Sequence, residues 1–390
     1  MIDKKDIDIC TQTINSDTKN YCPFSPDIVM TTSFKFDSYE DFCKASVDEK
    51  NHYVYTRGSN PTTVKLEKKL AQLDHGEKCK VFASGMGAIS ATLFSLLKQG
   101  DHLLMINTIY GEAASFAQYL HNFGIESDRI DVANTNEIFQ HVKENTKIIY
   151  FESPSSEKFE MLDLQKIADF AKKHHILTII DATWASPLFT KPIDFGIDLV
   201  IHSLSKYVGG HSDVLGGSVV GSNKLVNQIF KYGHQFLGST NSPFNSWLAI
   251  RGLRTLPLRM QHADQAIRIV LDGLKDDDRI KRIYHPYCYE NDQKELAQKY
   301  LKGYGSLFAF DLNTDDLEKV KIFINSLKTI SIGVSWGGYE SLALAVYKGN
   351  NLSALKKRKL EPTHIRIYVG LEDPNVILDD IKHALNMAFK

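Results

Sequence analysis

The chain has 390 residues, 43% hydrophobic and 24% charged, with a net charge of −1. That length can bury a large core in two or three domains, and so little net charge excludes an electrostatic footprint for nucleic acid or an anionic membrane. No apolar run approaches membrane-spanning length, the start Met1-Ile2-Asp3-Lys4-Lys5-Asp6 lacks an apolar signal core, and Cys10, Cys22, Cys43, Cys79 and Cys288 lie far apart, which predicts a cytoplasmic protein with reduced thiols.

Residues 1–60 read as an irregular, polar-aromatic arm rather than a domain. Pro61 opens a helix whose Leu66, Leu70 and Leu73 share one face until Gly76. Short apolar strands then alternate with amphipathic helices. Val81-Phe82-Ala83 precedes a helix over 88–98, Leu103 to Ile106 precedes one over 112–122, and Ile148 to Phe151 precedes one over 164–173. Two more buried strands follow, Ile176 to Ile180 and Asp198 to His202. This alternation predicts an α/β fold with a mostly parallel sheet covered on both faces, in a domain spanning 61–255. Beyond Arg254 the helical runs lengthen. Ser306 to Phe310 and Ile365 to Leu371 read as strands of a smaller α+β domain, 256–390, whose last helix opens at Pro374.

The chemistry concentrates after the strand at 198–202, in Ser203-Leu204-Ser205-Lys206-Tyr207-Val208-Gly209-Gly210. A lysine in a dry pocket loses its proton easily and can attack a carbonyl. Hydroxyls at Ser203 and Ser205 suit a phosphate, and glycines let backbone approach a ligand closely. Asp181, at the end of the preceding strand, can hold a pyridinium nitrogen protonated. Lysine, hydroxyls and aspartate together point to pyridoxal 5'-phosphate (PLP). Each feature also has a plainer reading: a solvated lysine, a capping aspartate, or a serine nucleophile with a lysine base. His174-His175, His202 and His211 show no zinc-ligand spacing, so no metal is expected.

Further segments resemble the Cys/Met-metabolism PLP enzymes, in that family's order: Tyr53-Val54-Tyr55-Thr56-Arg57-Gly58-Ser59-Asn60-Pro61-Thr62, Phe82 to Ile89, Glu152-Ser153-Pro154, the Lys206 segment, Arg251 to Leu256, Ser335-Trp336-Gly337-Gly338-Tyr339-Glu340-Ser341-Leu342, and Ile365 to Asp373. The resemblance implies an aspartate-aminotransferase-type fold, with Lys206 linked to the cofactor and serving as the base at the substrate Cα. It implies a phosphate cradle from Gly85, Met86, Ser203 and Ser205, with Tyr110 stacked on the cofactor ring and Thr183 beside it. Tyr55 and Arg57 are expected to reach a neighbouring subunit's phosphate, giving a homodimer of shared sites and, by family habit, a tetramer. Arg366, alternating with Ile365 and Ile367, is expected to bind an amino-acid carboxylate with help from Ser335 and Trp336.

Within the family, Ser156 stands where many relatives carry a cofactor-contacting asparagine. Ser156, the Ser335-to-Ser341 segment and Gly370-Leu371-Glu372-Asp373 resemble bacterial cystathionine β-lyases, whereas Arg57 to Thr62 and Ser84-Gly85-Met86 look more like γ-acting members. The expectation is β-elimination of cystathionine to homocysteine, pyruvate and ammonia, in methionine biosynthesis. The alternatives are cystathionine γ-lyase or γ-synthase, methionine γ-lyase or O-acetylhomoserine sulfhydrylase, and more distantly a non-enzymatic PLP carrier or a serine-lysine hydrolase.

Overall fold

The computed structural model describes residues 2–14, 23–132 and 134–390; Met1 and Cys22 lie outside them. Seven strands form the large sheet: β1 (Lys78–Phe82), β2 (His102–Ile106), β3 (Glu126–Ile130), β4 (Thr146–Glu152), β5 (Leu177–Asp181), β6 (Leu199–Ser203) and β7 (Gly217–Gly221), in the order β1-β7-β6-β5-β4-β2-β3. Every pairing is parallel except those of β7, which runs antiparallel between β1 and β6. The central strands β2, β4, β5 and β6 are mostly apolar because both faces are covered, whereas the edge strand β3 is polar and largely exposed. Ile149, Phe151, Ile180 and Val200 face one core, and Ile148, Tyr150, Ile179 and Ile201 face the other.

Side chains alternate across a sheet, so Glu152 continues the face of Tyr150, Asp181 that of Ile179, and Ser203 that of Ile201. Three polar side chains thus leave the ends of adjacent parallel strands on one side. The crevice beyond the carboxyl ends of such strands is where ligands of open α/β sheets bind.

The smaller sheet contains β8 (Ile280–Tyr284), β9 (Leu307–Leu312), β10 (Ser331–Ile332), β11 (Leu342–Ala345) and β12 (His364–Tyr368), ordered β10-β11-β12-β9-β8. It is antiparallel apart from the β10–β11 pair. One 32-residue helix, Pro243–Leu274, runs through the expected 255/256 boundary and joins the two units. Its N-terminal part gives Ala249, Leu253 and Met260 to the large core, and its C-terminal part gives Ile267, Leu271 and Leu274 to the small one. The domain division therefore falls inside a helix rather than between elements.

The expected arm is more ordered than its polar sequence suggests. Lys4–Thr11 and Tyr39–Val47 are helices. Ile2, Ile9 and Cys10 join the large core, and Asp6 makes a buried ion pair with Lys191 at 2.9 Å. Past residue 23 the segment instead carries exposed apolar side chains, among them Phe24, Met30, Tyr39, Val47 and Tyr55. No helix among the described residues is long and apolar enough to cross a membrane.

Candidate active site

Lys206 lies in the turn after β6, half-buried. Its Nζ donates to Ser335 Oγ at 2.5 Å and sits 5.5 Å from the centre of the Trp336 ring. Burial pushes the ammonium down to about 8; Arg366 adds repulsion, and Asp181 opposes both. Lysine thus loses its proton more readily here than in water.

The turn is held from two directions. The buried guanidinium of Arg259 donates to the Tyr207 carbonyl at 2.6 Å and the Gly252 carbonyl at 2.8 Å. From the small domain, the loop carrying Ser335 presses directly on the lysine backbone. A Cβ on Gly337 would lie 2.8 Å from Lys206 Cα, and Gly337 has φ +88°. Ser335 itself has φ +85°, a conformation sparsely populated outside glycine.

Asp181 accepts from the Thr183 backbone N–H at 3.0 Å and from the Thr183 hydroxyl, which in turn accepts from Ser203 N–H at 2.8 Å. Burial pushes its carboxyl up, and among the described residues it has no ion-pair partner. Gly85 opens the helix Gly85–Leu96, and an added Cβ would come within 3.1 Å of Ser203 Cβ. Gly85, at the start of that helix, is thus packed closely against Ser203, which brings the helix-start N–H groups of Gly85 and Met86 into the neighbourhood of its hydroxyl. Ser205 accepts from Gly216 N–H at 3.2 Å.

Tyr110 precedes the helix Gly111–Tyr119, half exposed. Burial, Glu112 and Asp181 all push its phenol up. Its backbone N–H donates to Glu152 Oε1 at 2.6 Å, and the Ser156 hydroxyl donates to Glu152 Oε2. The link through Glu152, which joins Tyr110 to Ser156, was not foreseen, nor were the roles of Arg259 and Gly337. Glu-Ser-Pro and Arg-Gly-Leu-Arg are visible as motifs, but their contacts depend on tertiary register.

Arg366 projects from β12 opposite Leu344 and Ala309, half-buried and without a carboxylate partner among the described residues. Tyr55 and Arg57 stand apart from this cluster. Arg57 lies over the Tyr55 ring at 5.4 Å and donates to Gln235 at 3.1 Å. Among the described residues no group of three His, Cys, Asp or Glu side chains is placed to hold a metal ion.

Residues 10–386 match the family described as Cys/Met metabolism PLP-dependent enzyme. The chain belongs to that family. The chain is 36% identical over 338 residues to cystathionine gamma-lyase of Bacillus subtilis, covering 85% of this chain and 88% of that protein. It is 34% identical over 374 residues to L-methionine gamma-lyase of Fusobacterium nucleatum subsp. polymorphum, with 94% of each covered. Its fold superposes with TM-score 0.91 and 29% identity on cystathionine gamma synthase of Xanthomonas oryzae pv. oryzae in complex with cystathionine, covering 98% of both chains. The cofactor is pyridoxal 5'-phosphate and the chain is a PLP-dependent lyase of sulfur amino-acid metabolism. The expected likeness to β-lyases is not what these relatives share: they act at the γ carbon.

The residues present fit the cofactor. Helix-start N–H groups at Gly85 and Met86 beside the Ser203 hydroxyl have the chemistry to hold a phosphate, Asp181, without an ion-pair partner among the described residues, that to face a cationic ring nitrogen, and Lys206, with its lowered proton affinity, that to form a covalent link.

Proposed function

We propose that this enzyme is a carbon–sulfur γ-lyase that cleaves cystathionine to cysteine, 2-oxobutyrate and ammonia. What supports this most is that relatives matching 85% and 94% of the chain are γ-lyases of cystathionine and methionine. PLP, when bound, supplies an electron sink for negative charge at the substrate Cα. In this reading Gly85, Met86, Ser203 and Ser205 hold the phosphate, Asp181 and Thr183 hold the ring edge, and Tyr110 covers its face. Arg366 fixes the substrate carboxylate, which aims the Cα hydrogen at Lys206 Nζ. Lys206 removes that proton, and Ser335 keeps the freed amine over the reacting carbons. A γ-elimination needs a second proton taken from Cβ, and Lys206 Nζ is the base best placed to take it.

We further propose that the working unit is at least a dimer, with Tyr55 and Arg57 serving the neighbouring site; the exposed apolar side chains of residues 24–55 support a covering partner. β-Elimination remains the second reading. Ser335, which accepts from the Lys206 amine, and Trp336, whose ring centre lies 5.5 Å from it, belong to the segment that resembles β-lyases. Keto-acid analysis after incubation with cystathionine separates the two. The γ-lyase reading expects 2-oxobutyrate. Dominant pyruvate would replace it with the β-lyase, and neither keto acid, with thiol incorporation into an activated homoserine ester, would point to a synthase or sulfhydrylase.

A further inference from the structure

Glu152 ends β4 and is 7% exposed. Its rung partner on the neighbouring parallel strand is Asp181. Two carboxyl groups therefore leave adjacent strands on the same face, and among the described residues neither has an ion-pair partner. Like charges so placed in a dry site cannot both persist; one carboxyl keeps its proton. The surroundings decide which. Asp181 receives two hydrogen bonds from Thr183 and has the basic side chains of Lys206 and His202 nearby, all of which favour its anion. Around Glu152 the titratable groups are Asp181 on β5, Glu157 in the turn beyond, Tyr150 on its own strand and Tyr110 at the neighbouring helix start. Glu152, like Asp181, accepts two hydrogen bonds that favour its anion, from Tyr110 N–H and Ser156. What separates the two is charge: no cation is among the neighbours that act most on Glu152, and the nearby Arg358 is paired with Glu157 at 2.8 Å. The Ser156 contact suits an acid as well as an anion, because a hydroxyl can accept the acid's proton as readily as donate to a carboxylate.

We propose that Glu152 is a positioning residue that works as a neutral carboxylic acid, fixing the Tyr110 turn through one oxygen and Ser156 through the other while leaving Asp181 the single anion of the pair. The inference deepens the PLP-site reading and rests on it. Consistent with the geometry, burial and Asp181 push the Glu152 carboxyl up to about 8. Neutrality matters because a second anion at this place would repel Asp181 and compete with it for the ring nitrogen.

The test compares wild type, Glu152→Gln and Glu152→Ala as purified holoenzymes. Glutamine is neutral, accepts from Tyr110 N–H and donates to Ser156, so Glu152→Gln is expected to keep kcat/KM within about threefold, the size of a small hydrogen-bond adjustment. Alanine leaves both partners unsatisfied and should cost on the order of tenfold or more, chiefly in kcat. The infrared difference spectrum of wild type against Glu152→Gln should show a protonated-carboxyl band at neutral pH that fades as pH rises through about 8. That band does not depend on which carbon–sulfur bond is cut, so its outcome is separate from the choice between β- and γ-elimination. Absence of the band at neutral pH, or a glutamine variant as impaired as alanine, would overturn the proposal. If the alanine variant fails to fold, the band and the glutamine kinetics still decide it.

Discussion

Arg366→Ala is the most direct probe of how the site takes its substrate. The guanidinium is half-buried on β12 and has no carboxylate partner among the described residues, so it is free to pair with a substrate carboxylate in the proposed reading. A charge-assisted contact of that kind contributes about 1.5–3 kcal/mol, which predicts a roughly 13- to 160-fold fall in kcat/KM. A second effect goes in a known direction. Arg366 is the main charge that holds the Lys206 ammonium down, after burial itself. Removing it should raise the lysine toward its ordinary value. The neutral amine then appears at higher pH, and the acid limb of covalent PLP attachment to apoenzyme moves upward. Arg366→Lys keeps the charge without the planar fork and should give an intermediate kcat/KM with little movement of that limb. Steady-state kinetics and a pH series of cofactor attachment measure both. A loss under threefold together with an unmoved limb would refute the placement of Arg366 at the substrate carboxylate.

Borohydride reduction and peptide mapping should place the phosphopyridoxyl group on Lys206, and Lys206→Ala should abolish turnover even where PLP still binds; label on another lysine would sink the assignment. Wild-type apoenzyme should take up PLP covalently faster as pH climbs through about 8, because the depressed ammonium must first lose its proton; a rate that falls over that range contradicts the burial argument. Gly337→Ala places a methyl group 2.8 Å from the Lys206 backbone at φ +88°, so about 1–3 kcal/mol of strain should appear as a lowered Tm and weakened PLP retention. Mixing Arg57→Ala with Lys206→Ala chains should restore partial activity in hybrids, where one site recovers both side chains; demonstrably mixed oligomers without recovery would argue against a shared site.

The parts of the fold that sequence makes legible are those with strong periodicity. Leu164–Lys173 matches its predicted span, and β4 to β6 differ from prediction only at their ends, because continuous apolar runs admit no other reading. β7 was missed because Gly217 and Gly221 flank only Ser218, Val219 and Val220, too short an apolar signal. Those glycines are there for clearance: a Cβ at Gly217 would lie 2.2 Å from the Ser84 carbonyl oxygen, and one at Gly221 would lie 2.6 Å from that of Asp198. β3, Glu-Ser-Asp-Arg-Ile on an exposed sheet edge, offers no apolar alternation. At the site, Lys206 and Asp181 are legible because strand-end lysine and aspartate have few competing uses in that company. Arg259 is not, since an arginine inside a helix reads as solvated until the fold buries it against the Tyr207 carbonyl. Glu152 falls between the two: its motif is visible, but its partner Asp181 is 29 residues away and is set only by strand register.

The charges around Lys206 also suggest how the site can link binding to basicity. Two fixed groups act on the amine in opposite directions, Arg366 lowering its proton affinity and Asp181 raising it. In the proposed reading, a substrate carboxylate at Arg366 would neutralise the first, and a ring nitrogen at Asp181 the second. Forming a covalent link to the cofactor would require Lys206 as a neutral amine, and burial with Arg366 favours that state. As the proposed base at Cα, Lys206 would instead have to accept a proton from carbon. At that moment the carboxylate on Arg366 has removed the repulsion that opposed protonation. The same contact that positions the Cα hydrogen thereby strengthens the base that takes it, and Ser335, 2.5 Å from Nζ, holds the amine in reach while it changes charge. Substrates lacking the carboxylate would lose orientation and base strength together, so their penalty should fall on kcat as well as on KM.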